Sequence, residues 1–100
     1  MTILTSNWTP GVVDLSNDIT TVATTPVIVR GYVVNTVLSA HACNINNGAT
    51  TLFIIPASTA AGTVVEFASD DGVIFDTNLI IDPDNSATGS ITILYKERVR

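Results

Sequence analysis

One histidine, one cysteine and nine carboxylates are the residues of this chain best equipped for chemistry. His41 and Cys43 stand two positions apart, which raises the question of a thiol nucleophile with its base. Side chains two apart on a strand point side by side along one face and do not converge as such a dyad requires. His41 therefore reads as a hydrogen-bonded structural histidine or one at a subunit contact, and Cys43, among small and apolar neighbours, as a buried hydrophobe. Four of the nine acidic residues fall in Asp70-Asp71-Gly72 and Asp82-Pro83-Asp84-Asn85. Calcium takes oxygen clusters of this kind, but no Gly at the sixth position and no Glu at the twelfth completes a calcium loop. Asp and Asn are also ordinary turn residues, because their side chains bond nearby backbone. Glu66 is the one carboxylate in a strand, and the sequence marks no partner for it. No phosphate-cradling glycine loop, dinucleotide fingerprint or metal motif is present. The expectation is a protein that is not an enzyme and that takes no cofactor and no metal.

Two further features suit an interface. Trp8 lies in a polar segment before Pro10-Gly11, where it either anchors in a partner's pocket or packs back on its own core. The basic residues are unevenly placed: Arg30 stands alone, whereas Lys96, Arg98 and Arg100 fall within the last five positions. That tail is either solvated or pairs with an acidic surface. Trp8, Lys96, Arg98 and Arg100 are accordingly the candidate partner contacts. The three Phe residues, Phe53, Phe67 and Phe75, sit in the most apolar runs and read as core.

The elements that position these residues are strands. Thr occurs 15 times, Val 12 and Ile 11, so 38 of 100 residues are β-branched. Branching at Cβ fixes χ1 and suits a pleated surface. Good formers of a polar helix face are scarce, with one Lys, two Glu and no Gln. Short apolar runs alternate with turn signals throughout. Val27 to Val34 is a strand with Val27, Val29 and Val33 on one face, and Gly31 within it predicts a bulge or a close backbone approach. Val37 to Ile45 is the next, closed by the hairpin signal Asn46-Asn47-Gly48. Thr51–Ile55, Thr63–Phe67, Val73–Phe75, Leu79–Ile81 and Ser90–Lys96 follow, with Asp76-Thr77-Asn78 as a bend or tight hairpin. The expected fold is all-β: one antiparallel β-sandwich or jelly-roll-like domain of about seven or eight strands with no significant helix. Residues 1–25, weakly periodic apart from a possible short strand at 19–23, read as an N-terminal arm. Residues 26–96 form the body and 97–100 a basic tail.

Bulk properties narrow the function classes. The chain is 46% hydrophobic, has a mean hydropathy of +0.43 and carries a net charge of −5. Disorder is excluded by the apolar content. Nucleic-acid binding needs clustered Lys and Arg, which four basic residues do not supply. One cysteine excludes an internal disulfide framework. No apolar run reaches the ~18 residues of a membrane span, and the first residues do not resemble a signal peptide. A soluble protein made in a reducing cytoplasm is expected.

The stretch Leu52-Phe53-Ile54-Ile55-Pro56-Ala57-Ser58-Thr59-Ala60-Ala61-Gly62-Thr63 resembles a pattern in small virion proteins of tailed bacteriophages, particularly phages of aquatic bacteria including cyanophages. It continues through Gly72-Val73-Ile74-Phe75, Leu79-Ile80-Ile81 and Ala87 to Tyr95, covering residues 30–96. The resemblance implies a β-sandwich on the capsid exterior, made in the host cytoplasm. That protein would decorate and cement the capsid by binding the major capsid protein as a homo-oligomer, favoured as a trimer. It is also compatible with a tail or head-fibre component, the alternative to this leading role. A carbohydrate- or receptor-binding β module is the further alternative.

Overall fold

The structure, a computed structural model, describes residues 8–67 and 72–98. Nine strands and no helix occur among them. They are β1 (Thr9–Asp14), β2 (Thr20–Ala23), β3 (Val27–Thr36), β4 (Cys43–Asn47), β5 (Thr50–Ile55), β6 (Val64–Glu66), β7 (Val73–Phe75), β8 (Leu79–Pro83) and β9 (Ser90–Glu97). All pairings are antiparallel. Sheet one runs β1-β9-β3-β6, with β7 beside β6 on the same side of β3; sheet two runs β2-β8-β4-β5. If β6 and β7 are taken as one interrupted strand, eight strands pair first with last, second with seventh, third with sixth and fourth with fifth. This is a long antiparallel hairpin rolled into two sheets, the jelly-roll order.

The core fills the space between the sheets. Val13, Val29, Val34, Ile91 and Ile93 point into it from sheet one, and Cys43, Ile45, Ile55, Leu79 and Ile81 from sheet two. Burying one face of each strand produces this alternation. Phe75 is fully buried, and Phe67 stacks on the half-buried Phe53 with centroids 4.0 Å apart.

The bulge expected at Gly31 is present, and it changes which residues face inward. β9 pairs Val29 with Tyr95 and then Gly31 with Leu94, so Arg30 is the extra residue. Alternation restarts after it: Tyr32 and Val34 are buried, and Val33, expected alongside Val27 and Val29, turns outward. Gly31 also sits against β6, where an added Cβ would lie 2.1 Å from the Val65 carbonyl oxygen.

Three other expectations shift. The segment 1–25, expected as an arm with a possible short strand at 19–23, supplies that strand as β2 and, beyond it, β1. β1 keeps six paired positions with β9, yet only Val13 of it is buried, which is why its periodicity is faint. Residues 1–7 lie outside the described residues. The strand expected over Val37–Ile45 is confined to Cys43–Asn47. Residues 37–42 cross from one sheet to the other, and their backbone bonds go to loops: Leu38 N donates to Thr59 O, and Ser39 N to Thr88 O. Asp76-Thr77-Asn78, expected as a bend or tight hairpin, is a bend that joins β7 of sheet one to β8 of sheet two and not a hairpin. It is clasped to the β4–β5 turn. Asn47 Nδ2 donates to Asp76 Oδ1 (2.8 Å), Thr77 N to Asn47 Oδ1 (2.9 Å) and Gly48 N to Asn78 Oδ1 (2.7 Å).

Candidate interaction surface

The register of sheet one places three rows of side chains across its outer face. Val12, Thr92, Val33 and Val64 form the first, through the pairs Val12–Thr92, Thr92–Val33 and Val33–Val64. Pro10, Leu94, the Arg30 bulge and Glu66 form the second. Lys96, Ile28 and Ile74 form the third, completed by Trp8 one step beyond the Thr9–Tyr95 pair. Val12 is 72% exposed, Val64 62% and Ile74 48%. Four strands and six residues of length span on the order of 400 Å². The apolar residues of this face share that area with Thr92, Arg30, Glu66 and Lys96, and exposed apolar side chains gathered on one face commonly mark an interaction site.

Charge interrupts this face on its central strands, with Arg30 at the bulge of β3 and Lys96 on β9, and at the edge with Glu66 on β6. Lys96 Nζ lies 4.6 Å from the Trp8 ring centroid and Arg30 Cζ 5.7 Å from it, both within cation–π range. Arg30 Nη2 is 3.7 Å from Glu66 Oε2, an exposed pair worth about 0–1 kcal/mol. Asp14 closes the opposite end of β1. Its carboxyl accepts from the Ser16 hydroxyl and backbone N–H, which together hold it below the usual carboxylate range.

The sequence-named contacts thus divide. Trp8 and Lys96 come together and gather Arg30, which had looked solitary. Arg98 is exposed, and its backbone N–H is tied to Pro26 O (3.1 Å), just past the end of β9. Lys96 lies in β9 as expected, and Glu97, expected in the 97–100 tail, belongs to β9 as well. Arg100 lies outside the described residues. Glu66, for which no partner was legible, has Arg30.

The other reactive residues are kept apart. Cys43 is fully buried, and its thiol is pushed up from 9.0 to about 12, first by burial and then by the charge of Asp82. A thiol in that state is not a nucleophile near neutral pH. His41 sits at the surface, with Nδ1 3.9 Å from Asp84 Oδ2. It borders a cleft of about 320 Å³ lined by Ala42, Asn44, Asp82, Pro83 and Asp84. A second cleft of about 390 Å³, lined by Asp18, Ile19, Asp82, Pro83 and Asn85, adjoins it. Sequence reasoning missed this gathering of carboxylates, because Asp18 reaches it only through the β2–β8 pairing. Among the described residues, no three His, Cys, Asp or Glu side chains are spaced to hold a metal. The Asp70-Asp71 turn lies outside the described residues.

Sheet two presents a different outer face. Thr21, Ile80, Asn46 and Thr51 form one row, and Asp82, Asn44 and Ile54 another. Its centre is polar, which sets off the apolar face of sheet one. Comparison of the chain with protein-family models, with curated proteins and with solved structures finds no match.

Proposed function

We propose that this protein is a structural module without catalytic activity that docks through the outer face of sheet one. Its setting in this reading is a phage virion. There it decorates and stabilises the capsid exterior by binding the major capsid protein as a homo-oligomer, favoured as a trimer. The observation that carries the docking surface is the outer face of sheet one, where Val12 and Val64 stand exposed at the two edges of the first row and Ile74 and Trp8 at the two edges of the third. Interfaces combine apolar contacts with Trp, Tyr and Arg anchors. Two supports favour the virion setting: the pattern over residues 30–96, and the jelly-roll order, which recurs in viral capsid domains. Lectins share that order, so fold analogy alone does not choose between them.

The test is binding of the purified protein to capsids stripped of it. Val12→Asp and Val64→Asp together place two charges in the apolar row and should abolish binding while leaving the melting temperature within a few degrees. Undiminished binding by the double variant would overturn the reading. The alternative settings, a tail or head-fibre component or a carbohydrate- or receptor-binding module, predict instead glycan binding that depends on Trp8.

A further inference from the structure

Asn47-Gly48 is the one Asn-Gly step in the chain. The β4–β5 turn needs it, since Gly48 sits at φ 60°, where glycine is favoured. Asparagine is a thermolabile residue. It is most so before glycine, because no side chain on the second residue hinders attack by its backbone nitrogen. Once a base takes the proton of that nitrogen, it attacks the asparagine Cγ. The new N–C bond closes a succinimide ring, and the Cγ–Nδ2 bond breaks, with Nδ2 leaving as ammonia after taking a proton from water. Water then opens the ring at either carbonyl and gives aspartate or isoaspartate.

The fold opposes each part of that reaction. The attacking nitrogen is engaged, since Gly48 N donates to Asn78 Oδ1 at 2.7 Å. The amide under attack is held at both ends. Asn47 Nδ2 donates to Asp76 Oδ1 at 2.8 Å, and Asn47 Oδ1 accepts from Thr77 N at 2.9 Å and Asn78 N at 3.4 Å. The Asn47–Thr50 pair fixes the backbone at the end of β4. Cyclisation requires the amide to leave these partners and turn toward Gly48 N. Asn47 and Gly48 are half-buried and lie beside the exposed Asp76 and Thr77, so water reaches them once the clasp opens. Surface turns open locally at far lower cost than core strands do.

We propose that Asn47 is a latent modification site: the 76–78 clasp holds off its conversion to aspartate or isoaspartate, and the conversion, once made, keeps the clasp open. Aspartate puts an oxygen where Nδ2 stood, 2.8 Å from Asp76 Oδ1. A hydrogen-bond donor is exchanged for a second carboxylate, and like charges at that distance repel. Isoaspartate in addition routes the main chain through the side-chain carbon and lengthens β4 beside its turn. The clasp ties the β4–β5 turn of sheet two to the crossover from sheet one, so its loss loosens that end of the sandwich. The proposal is independent of the virion reading.

The test incubates the full chain in mildly alkaline buffer and follows Asn47 by peptide mass spectrometry and isoaspartyl methyltransferase labelling. The folded parent should react at Asn47 at least about tenfold more slowly than the same chain in denaturant. Asp76→Ala and Asn78→Ala each remove one acceptor of the clasp outside the core. Each variant, shown to be folded by circular dichroism, should speed the reaction about fivefold or more. Asn47→Asp should melt below the parent, and adding Asp76→Asn, which returns a donor to the clasp, should recover much of the loss. A folded parent that reacts as fast as the unfolded chain overturns the proposal. So do folded clasp variants that keep the parent's rate, an Asn47→Asp chain that melts with the parent, or a loss that Asp76→Asn does not relieve. If neither Ala variant folds, hydrogen exchange at the Gly48 amide of the parent reads the same opening, and an unprotected amide overturns the proposal equally.

Discussion

Replacing Gly31 by Ala tests the tightest point of the fold. The added methyl would lie 2.1 Å from the Val65 carbonyl oxygen and 3.0 Å from Glu66 Cα. Carbon–oxygen contacts settle near ~3.3 Å, so β6 must retreat by about 1 Å. β6 has three residues, held to β3 by the pairs Gly31–Glu66, Tyr32–Val65 and Val33–Val64, with Phe67 N donating to Arg30 O beyond them. A strand this short has little with which to absorb the shift. Overpacking against backbone costs roughly 1–3 kcal/mol, a large part of the ~5–15 kcal/mol that holds a domain folded. At ~4–8 °C per kcal/mol for a domain of this size, the melting temperature should fall by roughly 5–20 °C. Gly62→Ala is the control. Nothing lies within 4 Å of its added Cβ, and the cost comes only from φ +87°, on the order of 1–2 kcal/mol. Differential scanning calorimetry of both variants reads the contrast. Gly31→Ala melting within about 2 °C of the parent would refute the close approach of β6 to the bulge.

Other perturbations probe different parts of the molecule. Cys43 should be inert to thiol reagents in the native protein at pH 8 and react freely in denaturant; stoichiometric native labelling within minutes would contradict its burial. Its raised folded pKa keeps the proton on in the native state, so its contribution to stability is full below pH 9.0 and is lost as pH rises toward about 12. Tyr32, also raised by burial and then by the charge of Cys43, acts in the same direction. Urea midpoints measured upward from pH 9 should therefore fall, and fall less in Cys43→Ala. Asn47→Ala removes the side chain that clasps residues 76–78 and should cost about 1–3 kcal/mol in urea unfolding. Trp8→Ala should leave the fold intact while weakening partner binding tenfold or more, since Lys96 and Arg30 lose the ring that positions them.

Much of the fold was legible in the residues, and the reasons are local. Apolar runs bounded by turn signals located β3, β5, β7, β8 and β9, and Gly31 and Asn47-Gly48 announced a bulge and a turn. What escaped was set by distant partners. β1 is an edge strand with little burial, so period-two alternation had almost nothing to act on, whereas the short strand anticipated at 19–23 is β2. The inward residues after Arg30 were inverted because one extra residue shifts the pleat, and no propensity at Val33 reports it. Ala40, His41 and Ala42 read as strand from their alternation ahead of Cys43, but the chain bends at Ala40 and His41 as it crosses between the sheets. Trp8, Arg30 and Lys96 are far apart in sequence, and only the β1–β9–β3 register brings them together. Each was visible as a residue, and two were named as contacts, but the shared site was not visible.

The claim that this protein acts through the outer face of sheet one has a direct test in electron cryo-microscopy of purified particles that carry the chain. The reading predicts density for a two-sheet domain on the capsid exterior, with Val12, Val64, Ile74 and Trp8 against the major capsid protein. A domain seated by its other sheet, with those four side chains facing solvent, would contradict it.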